Sequence, residues 1–164
     1  MTKVRLQTSK GDIVLELDEA KAPITVANFL RYVDEGFYDG TIFHRVIANF
    51  MVQGGGFTKE MIQKKTHAEI VNESSNGLQN KRGAIAMART PAPNSASSQF
   101  FINVVDNGFL DKANAQDRVG YCVFGKVTEG LDVLDQIKSV KTGNSKGHGD
   151  VPLEAIVISK ASRV

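Results

Sequence analysis

Residues 43–55 read Phe43-His44-Arg45-Val46-Ile47-Ala48-Asn49-Phe50-Met51-Val52-Gln53-Gly54-Gly55, and they carry the strongest indication of the architecture. Their β-branched and aromatic residues predict two short strands, 41–47 and 50–54, on either side of Ala48-Asn49. Arg45 stands out in this apolar run, because a buried guanidinium is costly unless its five N–H donors find partners. It is either a structural arginine at the rim of a sheet, paired with a glutamate or with backbone carbonyls, or a functional one. The residues alone leave both interpretations open.

The same segment predicts which side chains lie together, because side chains alternate between the two faces of a strand. Phe43, Arg45 and Ile47 should share one face of the first strand. Phe50 and Val52 should share one face of the second. A bend between the strands can change which side chains converge, so the pattern predicts neighbours on each strand rather than a complete site.

A second unusual segment lies further along the chain. Met87-Ala88-Arg89 precedes a loop rich in proline, asparagine and serine, and the strand after that loop places Gln99 and Phe101 on one face. Phe109-Leu110 follows shortly afterwards. If these residues met Arg45 and its neighbours, they would form an apolar cup with one cation and two amides at its edge, as expected of a small-ligand site. Spacing leaves open whether they meet.

The rest of the chain supplies further short strands and two helices. Alternating apolar or β-branched residues predict strands at 4–8, 13–17, 83–87, 99–104, 121–127 and 155–159, and helical spacing predicts helices at 23–36 and 131–140. Residues 59–79 predict a long surface excursion, and the glycines of 143–149 predict a flexible loop. Strands do not alternate with helices, so an antiparallel barrel or sandwich with helices over its ends is favoured over a parallel sheet.

The composition is that of one globular domain, residues 1–164. Hydrophobic residues make up 41% and charged residues 23%, which excludes a disordered or collagen-like chain. The net charge of +2 gives no reason to expect a nucleic-acid partner, and no run of 18 apolar residues predicts a membrane span. Cys122 is the single cysteine and is expected to be buried and inert. The N-terminal residues predict a strand and show no signal-peptide core, so we expect the protein to be located in the cytoplasm.

No motif in the chain predicts nucleophilic or metal-dependent chemistry. Residues 120–126 have the spacing of a phosphate-binding loop, but Val127 stands where a magnesium-binding serine or threonine is needed. The three histidines include no pair with the spacing of a metalloprotease, and no Gly-x-Ser-x-Gly elbow occurs. A hydrolase or nuclease would need such groups, so we expect neither of these activities. We also expect no metal ion and no other cofactor.

Residues 43–47 and 50–55 resemble the signature of the cyclophilin-type peptidyl-prolyl cis-trans isomerases. Further segments resemble the same family in the same order: Ala22-Pro23, Thr25-Val26, Asn28-Phe29, Ser98–Ile102, Phe109-Leu110 and Val123–Val127. The resemblance covers nearly the whole chain and is closest to the compact cytosolic bacterial members. It implies a closed eight-stranded antiparallel β-barrel capped by two α-helices. It also implies an enzyme that rotates Xaa–Pro peptide bonds in unfolded or flexible segments and so assists protein folding.

The resemblance implies roles for individual residues. Arg45 corresponds to the catalytic arginine, Phe50 lines the proline pocket beside it, and Gln53 orients the arginine and contacts the substrate. The positions that it assigns to substrate binding are His44, Ile47, Met51, Ala88, Arg89, Gln99, Phe101, Phe109, Leu110 and Tyr121. The implied partners are proline-containing polypeptides, and we expect a monomer. The alternative for the same groove is a proline-peptide binding module or chaperone in which catalysis is incidental.

Three positions depart from the family pattern. Phe109 stands where cyclosporin-sensitive members have a tryptophan, so we expect a cyclosporin-type cyclic peptide to bind weakly while isomerisation is retained. Tyr121 stands where many members have a histidine, and it keeps a hydrogen-bond donor. Arg89 replaces a common asparagine, which leaves the role of its side chain open. The segment 111–120 is also longer than in the compact eukaryotic members.

Overall fold

All 164 residues are described by the computed structural model, in which short strands predominate. The strands are β1 (Lys3–Thr8), β2 (Gly11–Leu17), β3 (Thr41–Ile42), β4 (Arg45–Ile47), β5 (Met51–Gly54), β6 (Ala84–Met87), β7 (Phe100–Asn103), β8 (Val123–Glu129), β9 (Thr142–Ser145), β10 (His148–Pro152) and β11 (Val157–Arg163). The helices are α1 (Pro23–Asp34) and α2 (Leu131–Lys138), with 3₁₀ turns at Ser74–Asn76 and Gly108–Leu110. Neither α-helix is long and apolar enough to cross a lipid bilayer.

Nine of the strands form one antiparallel sheet, in the order β3-β11-β1-β2-β8-β6-β7-β5-β4. Its two edge strands, β3 and β4, are separated in the chain by only Phe43-His44, so the sheet curls until its edges lie close together. Counted as one bent strand, β3 and β4 complete a ring of eight strands. The helices pack against this ring, α1 on β11 and α2 on β2, β4 and β5. The predicted antiparallel barrel with two helices is confirmed, and the sandwich alternative is excluded.

The bend between β3 and β4 contradicts the prediction of one continuous strand over residues 41–47. β3 pairs with β11, whereas β4 pairs with β5. Gly54 on β5 permits this bend, because a Cβ there would lie 2.8 Å from the carbonyl oxygen of Ile42 and 3.0 Å from the ring of Phe43. Phe43 is turned into the core and is fully buried, while Arg45 is exposed. The prediction that these two side chains share a face is therefore wrong.

One apolar core fills the ring and extends under both helices. Pro23 occupies the first turn of α1, where its missing N–H leaves no hydrogen bond unmade. Phe29 of this helix lies against the rings of Tyr38, Phe100 and Phe124, with centroids 5.2–5.6 Å apart. On α2, Leu134 and its neighbours on the inner face are buried in the same core. The predicted apolar faces of both helices are confirmed as core, except that Leu131, which helical spacing predicts to point inward, is 37% exposed at the start of α2.

Residues 59–79 are mostly irregular, as predicted, but one of them anchors a helix. The carboxylate of Glu73 accepts hydrogen bonds from the backbone N–H groups of Ile24 and Thr25 at 3.3 and 2.7 Å, and from the Thr25 hydroxyl at 2.7 Å. Ala22, at the start of α1, has no side chain able to do this. The surface excursion thus provides the N-terminal cap that the helix itself lacks.

Residues 142–152 form a hairpin where a flexible loop is predicted, so that prediction is wrong. β9 and β10 pair antiparallel around Lys146-Gly147, and both turn residues have positive φ, as a type I′ hairpin turn requires. β10 packs against β4, and its Val151 is buried. The two strands are short and, apart from Val151 and Pro152, consist of polar residues and glycines, which is why alternation does not reveal them.

Candidate active site

The candidate site lies on the outer face of the barrel, where neighbouring strands turn every second side chain away from the core. On β5, Val52 lies in the core and Met51 lies outside it. On β7, Phe100 lies in the core and Phe101 lies outside it. The outward side chains of these strands, of β6 and β8, and of the turn after β7 form a second buried apolar cluster: Met51, Ala84, Ala86, Phe101, Leu110 and Val123.

A cavity of about 120 Å³ opens over part of this cluster. Its lining residues are Arg45, Phe50, Met51, Gln53, Ala88, Arg89, Phe101, Leu110 and Tyr121. All nine belong to the set implied by the family resemblance, so the structure brings these distant segments together. The rim differs from the predicted cup in two respects. Arg89 adds a second cation, and only one amide, Gln53, lines the cavity because Gln99 lies behind it.

Arg45 is held at the rim by a chain of two amides. It lies directly across from Gln53 in the β4–β5 pair, and its Nη1 donates to Oε1 of Gln53 at 3.4 Å. Nε2 of Gln53 donates in turn to Oε1 of Gln99 at 2.9 Å. Gly56 makes room for this arrangement, because a Cβ there would lie 2.5 Å from Cγ of Gln99. The bond to Gln53 is the only one that the Arg45 side chain makes, so its other N–H donors are available to a ligand.

Aromatic side chains form much of the cavity wall. The ring of Tyr121 meets that of Phe101 edge-on, with centroids 5.6 Å apart. Phe50 lies in the turn before β5, packed against the outer cluster, whereas Val52 lies in the core. The prediction that Phe50 and Val52 share a face is therefore wrong. The ring of Phe50 stacks on Phe109 at 5.7 Å and 26°, and Phe109, which is 59% exposed, does not line the cavity.

A buried network of asparagines, which the sequence analysis does not single out, supports the cavity. Nδ2 of Asn107 donates to Oδ1 of Asn103 at 2.7 Å and to the carbonyl oxygen of Phe50 at 2.9 Å. Nδ2 of Asn103 donates to Oδ1 of Asn80 at 3.1 Å, and Asn80 donates to Asp111 at 2.7 and 2.9 Å. These bonds tie Phe50 to the segment that carries Phe109-Leu110. In the sequence, the signal for this network is Asn103 at the end of an apolar strand, because a buried amide needs hydrogen-bond partners.

His44 and Ile47 lie beside the cavity without lining it. Ile47 lies across from Met51 in the β4–β5 pair and packs against the outer cluster. His44 is only 5% exposed, its ring lies 4.5 Å from that of Phe57, and its Nδ1 has no hydrogen-bond partner. Burial is the main cause that lowers the pKa of His44 to about 4, so the ring is neutral at pH 7.

The groups around the cavity offer hydrogen-bond donation and apolar contact. No carboxylate lines it, and no group of three or more histidine, cysteine, aspartate or glutamate side chains is placed to hold a metal ion. The thiol of Cys122 is buried, as predicted, and burial raises its pKa. A small apolar ring can be bound here with a guanidinium beside it.

Residues 3–163 match the family model of the cyclophilin type peptidyl-prolyl cis-trans isomerases. The chain belongs to the cyclophilin family. It is 60% identical over 162 residues to peptidyl-prolyl cis-trans isomerase cyp18 of Streptomyces antibioticus, with 98% of each chain covered. It is 55% identical over 160 residues to peptidyl-prolyl cis-trans isomerase B of Escherichia coli strain K12, with 97% of this chain and 98% of the relative covered.

A solved structure has the same fold. The cyclophilin type peptidyl-prolyl cis-trans isomerase of Cryptosporidium parvum, solved in the presence of the dipeptide Ala-Pro, matches this cyclophilin with a TM-score of 0.80 at 28% identity. The match covers 98% of this chain and 97% of the other. The predicted family, the predicted fold class and the predicted activity are confirmed: this cyclophilin is an enzyme that isomerises Xaa–Pro peptide bonds.

Proposed function

We propose that this cyclophilin acts on Xaa–Pro bonds in unfolded or flexible polypeptide segments, with the proline ring in the cavity and Arg45 at the reacting nitrogen. The observation that carries the proposal is the contrast between the two arginines of the cavity. Arg45 makes one bond of 3.4 Å, whereas Arg89 donates to Asp117 and to the carbonyl oxygens of Thr90 and Gly120. Four of the five N–H donors of Arg45 are therefore free for a substrate, whereas Arg89 has one such donor on a side chain that is 3% exposed.

The chemistry requires stabilisation of a twisted amide. Resonance gives the C–N bond double-bond character and a rotation barrier of ~18–20 kcal/mol. When the bond is perpendicular, resonance is lost and the proline nitrogen carries a lone pair. A guanidinium aimed at this nitrogen accepts no proton and forms no covalent bond, but it donates a hydrogen bond that is strong only in the twisted state. Arg45 therefore lowers the barrier by binding the transition state more tightly than the ground state.

Arg45 is not expected to act alone, because enzymes typically accelerate their reactions by at least ~10⁶-fold and each factor of ten requires about 1.4 kcal/mol. A charged hydrogen bond contributes about 1.5–3 kcal/mol, which corresponds to roughly ten- to a hundredfold in rate. The apolar wall supplies a second contribution by anchoring the proline ring while the preceding carbonyl swings. Burial of three ring CH₂ groups is worth about 2 kcal/mol in binding. We assign this anchoring to Phe101, Met51 and Leu110, and the orientation of Arg45 to Gln53.

The test is an NMR measurement of cis-trans exchange on an Ala-Ala-Pro-Phe peptide, with no coupling protease. We expect the wild type to accelerate exchange and Arg45→Ala to lose roughly ten- to a hundredfold of that rate. Arg45→Lys should also be slow, because an ammonium group does not reproduce the planar fork. Arg31→Ala is the matched control, since Arg31 is an exposed arginine on α1 with one weak ion pair.

Two results would count against the proposal. If Arg45→Ala exchanged the peptide at nearly the wild-type rate, the role of Arg45 would be wrong. If the wild type bound the peptide without accelerating exchange, the groove would be a proline-peptide receptor or chaperone surface, and the catalytic assignment would be withdrawn.

We further propose four properties of this cyclophilin: weak cyclosporin binding, a single domain, a cytoplasmic location and a monomeric state. The exposed Phe109 ring offers no N–H donor, which supports weak binding of a cyclosporin-type cyclic peptide. Both terminal strands, β1 and β11, pair with each other inside the barrel sheet, which supports one domain over residues 1–164. The buried free thiol of Cys122 suits a reducing compartment and supports the cytoplasm. We also keep a monomer as the proposed oligomeric state.

A further inference from the structure

The side chain of Arg89 is only 3% exposed, although it follows the end of β6 at the edge of the cavity. Its Nη2 donates to Oδ2 of Asp117 at 2.6 Å and to the carbonyl oxygen of Gly120 at 2.8 Å. Its Nε donates to the same carbonyl at 3.2 Å, and its Nη1 donates to the carbonyl oxygen of Thr90 at 3.1 Å. Because all three nitrogens are engaged within the protein, the guanidinium is fixed in one orientation.

The carboxylate of Asp117 connects Arg89 to a closed turn. Its Oδ1 accepts hydrogen bonds from the backbone N–H groups of Val119 and Gly120 at 2.9 and 3.1 Å. The hydrogen bonds from Arg89 and from these two N–H groups hold the pKa of Asp117 well below its usual range. Gly120 has a φ of +72°, and a Cβ there would lie 2.6 Å from the backbone nitrogen of Lys112. The turn at 117–120 is therefore held by Arg89 and by its own packing.

The residue after this turn is Tyr121, which lines the cavity. The guanidinium carbon of Arg89 lies 4.4 Å from the centroid of the Tyr121 ring, a distance typical of cation–π contact. The same ring meets Phe101 edge-on, and the Tyr121 N–H donates to the carbonyl oxygen of Leu110 at 2.9 Å. Tyr121 is thus held between the guanidinium and the proline-binding wall.

We propose that Arg89 is a positioning residue: it fixes the Tyr121 ring as a rigid wall of the cavity and thereby sets the affinity for the polypeptide, not the rate of rotation of the bound Xaa–Pro bond. This inference rests on the proposed function. A wall that is already ordered costs nothing to order when the substrate binds. The entropy of immobilising one side chain corresponds to about two- to tenfold in affinity.

The decisive variant is Asp117→Asn, because Asp117 does not line the cavity. The change removes the charge that holds Arg89 while keeping the size of the side chain and an oxygen acceptor. Arg89→Lys is the second variant: it keeps a cation but loses the planar fork and the stacking on Tyr121. Asp34→Asn is the matched control, since Asp34 forms an equally close pair with Arg163, outside the cavity, at 2.7 and 2.9 Å.

NMR line-shape analysis of the Ala-Ala-Pro-Phe peptide separates its dissociation constant from its exchange rate on the enzyme. We expect Asp117→Asn to weaken binding about two- to tenfold, with the on-enzyme rate changed less than about twofold. Arg89→Lys, which alters the cavity lining itself, should weaken binding at least as much. The aromatic signals of Tyr121 should shift in both variants. Asp34→Asn should leave affinity, rate and these signals unchanged.

Unchanged affinity in both variants would overturn the proposal, as would a loss of on-enzyme rate at unchanged affinity. If the Arg89–Asp117 pair had a purely structural role, Asp117→Asn and Asp34→Asn would both lower the thermal midpoint without affecting binding. That result would also contradict the proposal. The proposed function fails by a different result, namely absence of exchange in the wild type. Even then the Tyr121 signals and the peptide dissociation constants would decide whether Arg89 positions the ring.

Discussion

Lowering the pH from 7.5 to 4.5 should destabilise this protein through His44. The ring is packed against Phe57 and His148, and its Nδ1 has no partner. Burial, together with the charges of His148 and Arg45, lowers the pKa of His44 from 6.5 to about 4. In the unfolded chain the ring is in water and takes up a proton near its ordinary pKa. The two states therefore bind different numbers of protons between these pH values.

The direction and the size of the effect follow from these two pKa values. Above pH 6.5 the ring is neutral in both states, and its contribution to stability is fully present. As the pH falls from 6.5 toward 4, the unfolded chain gains a proton that the folded protein does not, so the contribution is lost. At about 1.4 kcal/mol for each pH unit, the loss amounts to about 3 kcal/mol, and most of it has occurred by pH 4.5.

Urea unfolding of the wild type and of His44→Phe at both pH values measures this contribution. The phenylalanine keeps the packing against Phe57 and removes the titrating ring. Ion pairs such as Asp34–Arg163 also weaken in acid, but they do so in both proteins and cancel in the comparison. The free energy of unfolding of the wild type should fall by about 2–3 kcal/mol more than that of His44→Phe. Equal losses, within roughly 0.5 kcal/mol, would show that His44 is not held neutral by burial.

Two further substitutions test the aromatic rim and the barrel closure. Phe109→Trp adds an indole N–H donor at an exposed position. Calorimetry should show cyclosporin binding strengthened by about tenfold, while peptide exchange stays near the wild-type rate. Unchanged cyclosporin affinity would refute the role assigned to the missing donor. Gly54→Ala places a Cβ 2.8 Å from the carbonyl oxygen of Ile42, so the free energy of unfolding should fall by about 1–3 kcal/mol, and an unchanged urea midpoint would show that the β3–β4 bend adapts without strain.

The residues that line the cavity could be predicted, because they lie in recognisable sequence motifs. How the strands bring these motifs together could not be predicted. Each motif is local, and the family resemblance names all nine lining residues. Period-2 alternation alone correctly separates Met51 from Val52 and Phe101 from Phe100. It cannot show that β5 lies beside β7, because pairing between strands so far apart in the chain leaves no periodic signal.

The local errors have physical causes that act across the fold. Alternation fails at Phe43 because the close approach of β5 at Gly54 bends the strand there. It fails at Phe50 because this residue lies in a turn rather than in β5. The hairpin of β9 and β10 escapes prediction since its turn uses Lys146-Gly147 instead of Asn-Gly and its strands bury little apolar surface.

The two arginines of the cavity show why residue type alone does not assign chemistry. In the sequence, Arg45 interrupts an apolar run, which leaves open whether it is a functional arginine or a structural one whose guanidinium is buried and paired. In the structure that description fits Arg89, whose guanidinium is buried and bonded to Asp117 and to two backbone carbonyls. Arg45 is exposed, and its one bond is to Gln53. A guanidinium whose donors are occupied holds its surroundings in place, and one whose donors are free can bind a developing lone pair. The same type of side chain therefore has two roles: Arg89 supports one edge of the cavity, and Arg45 is the proposed catalytic group at the other.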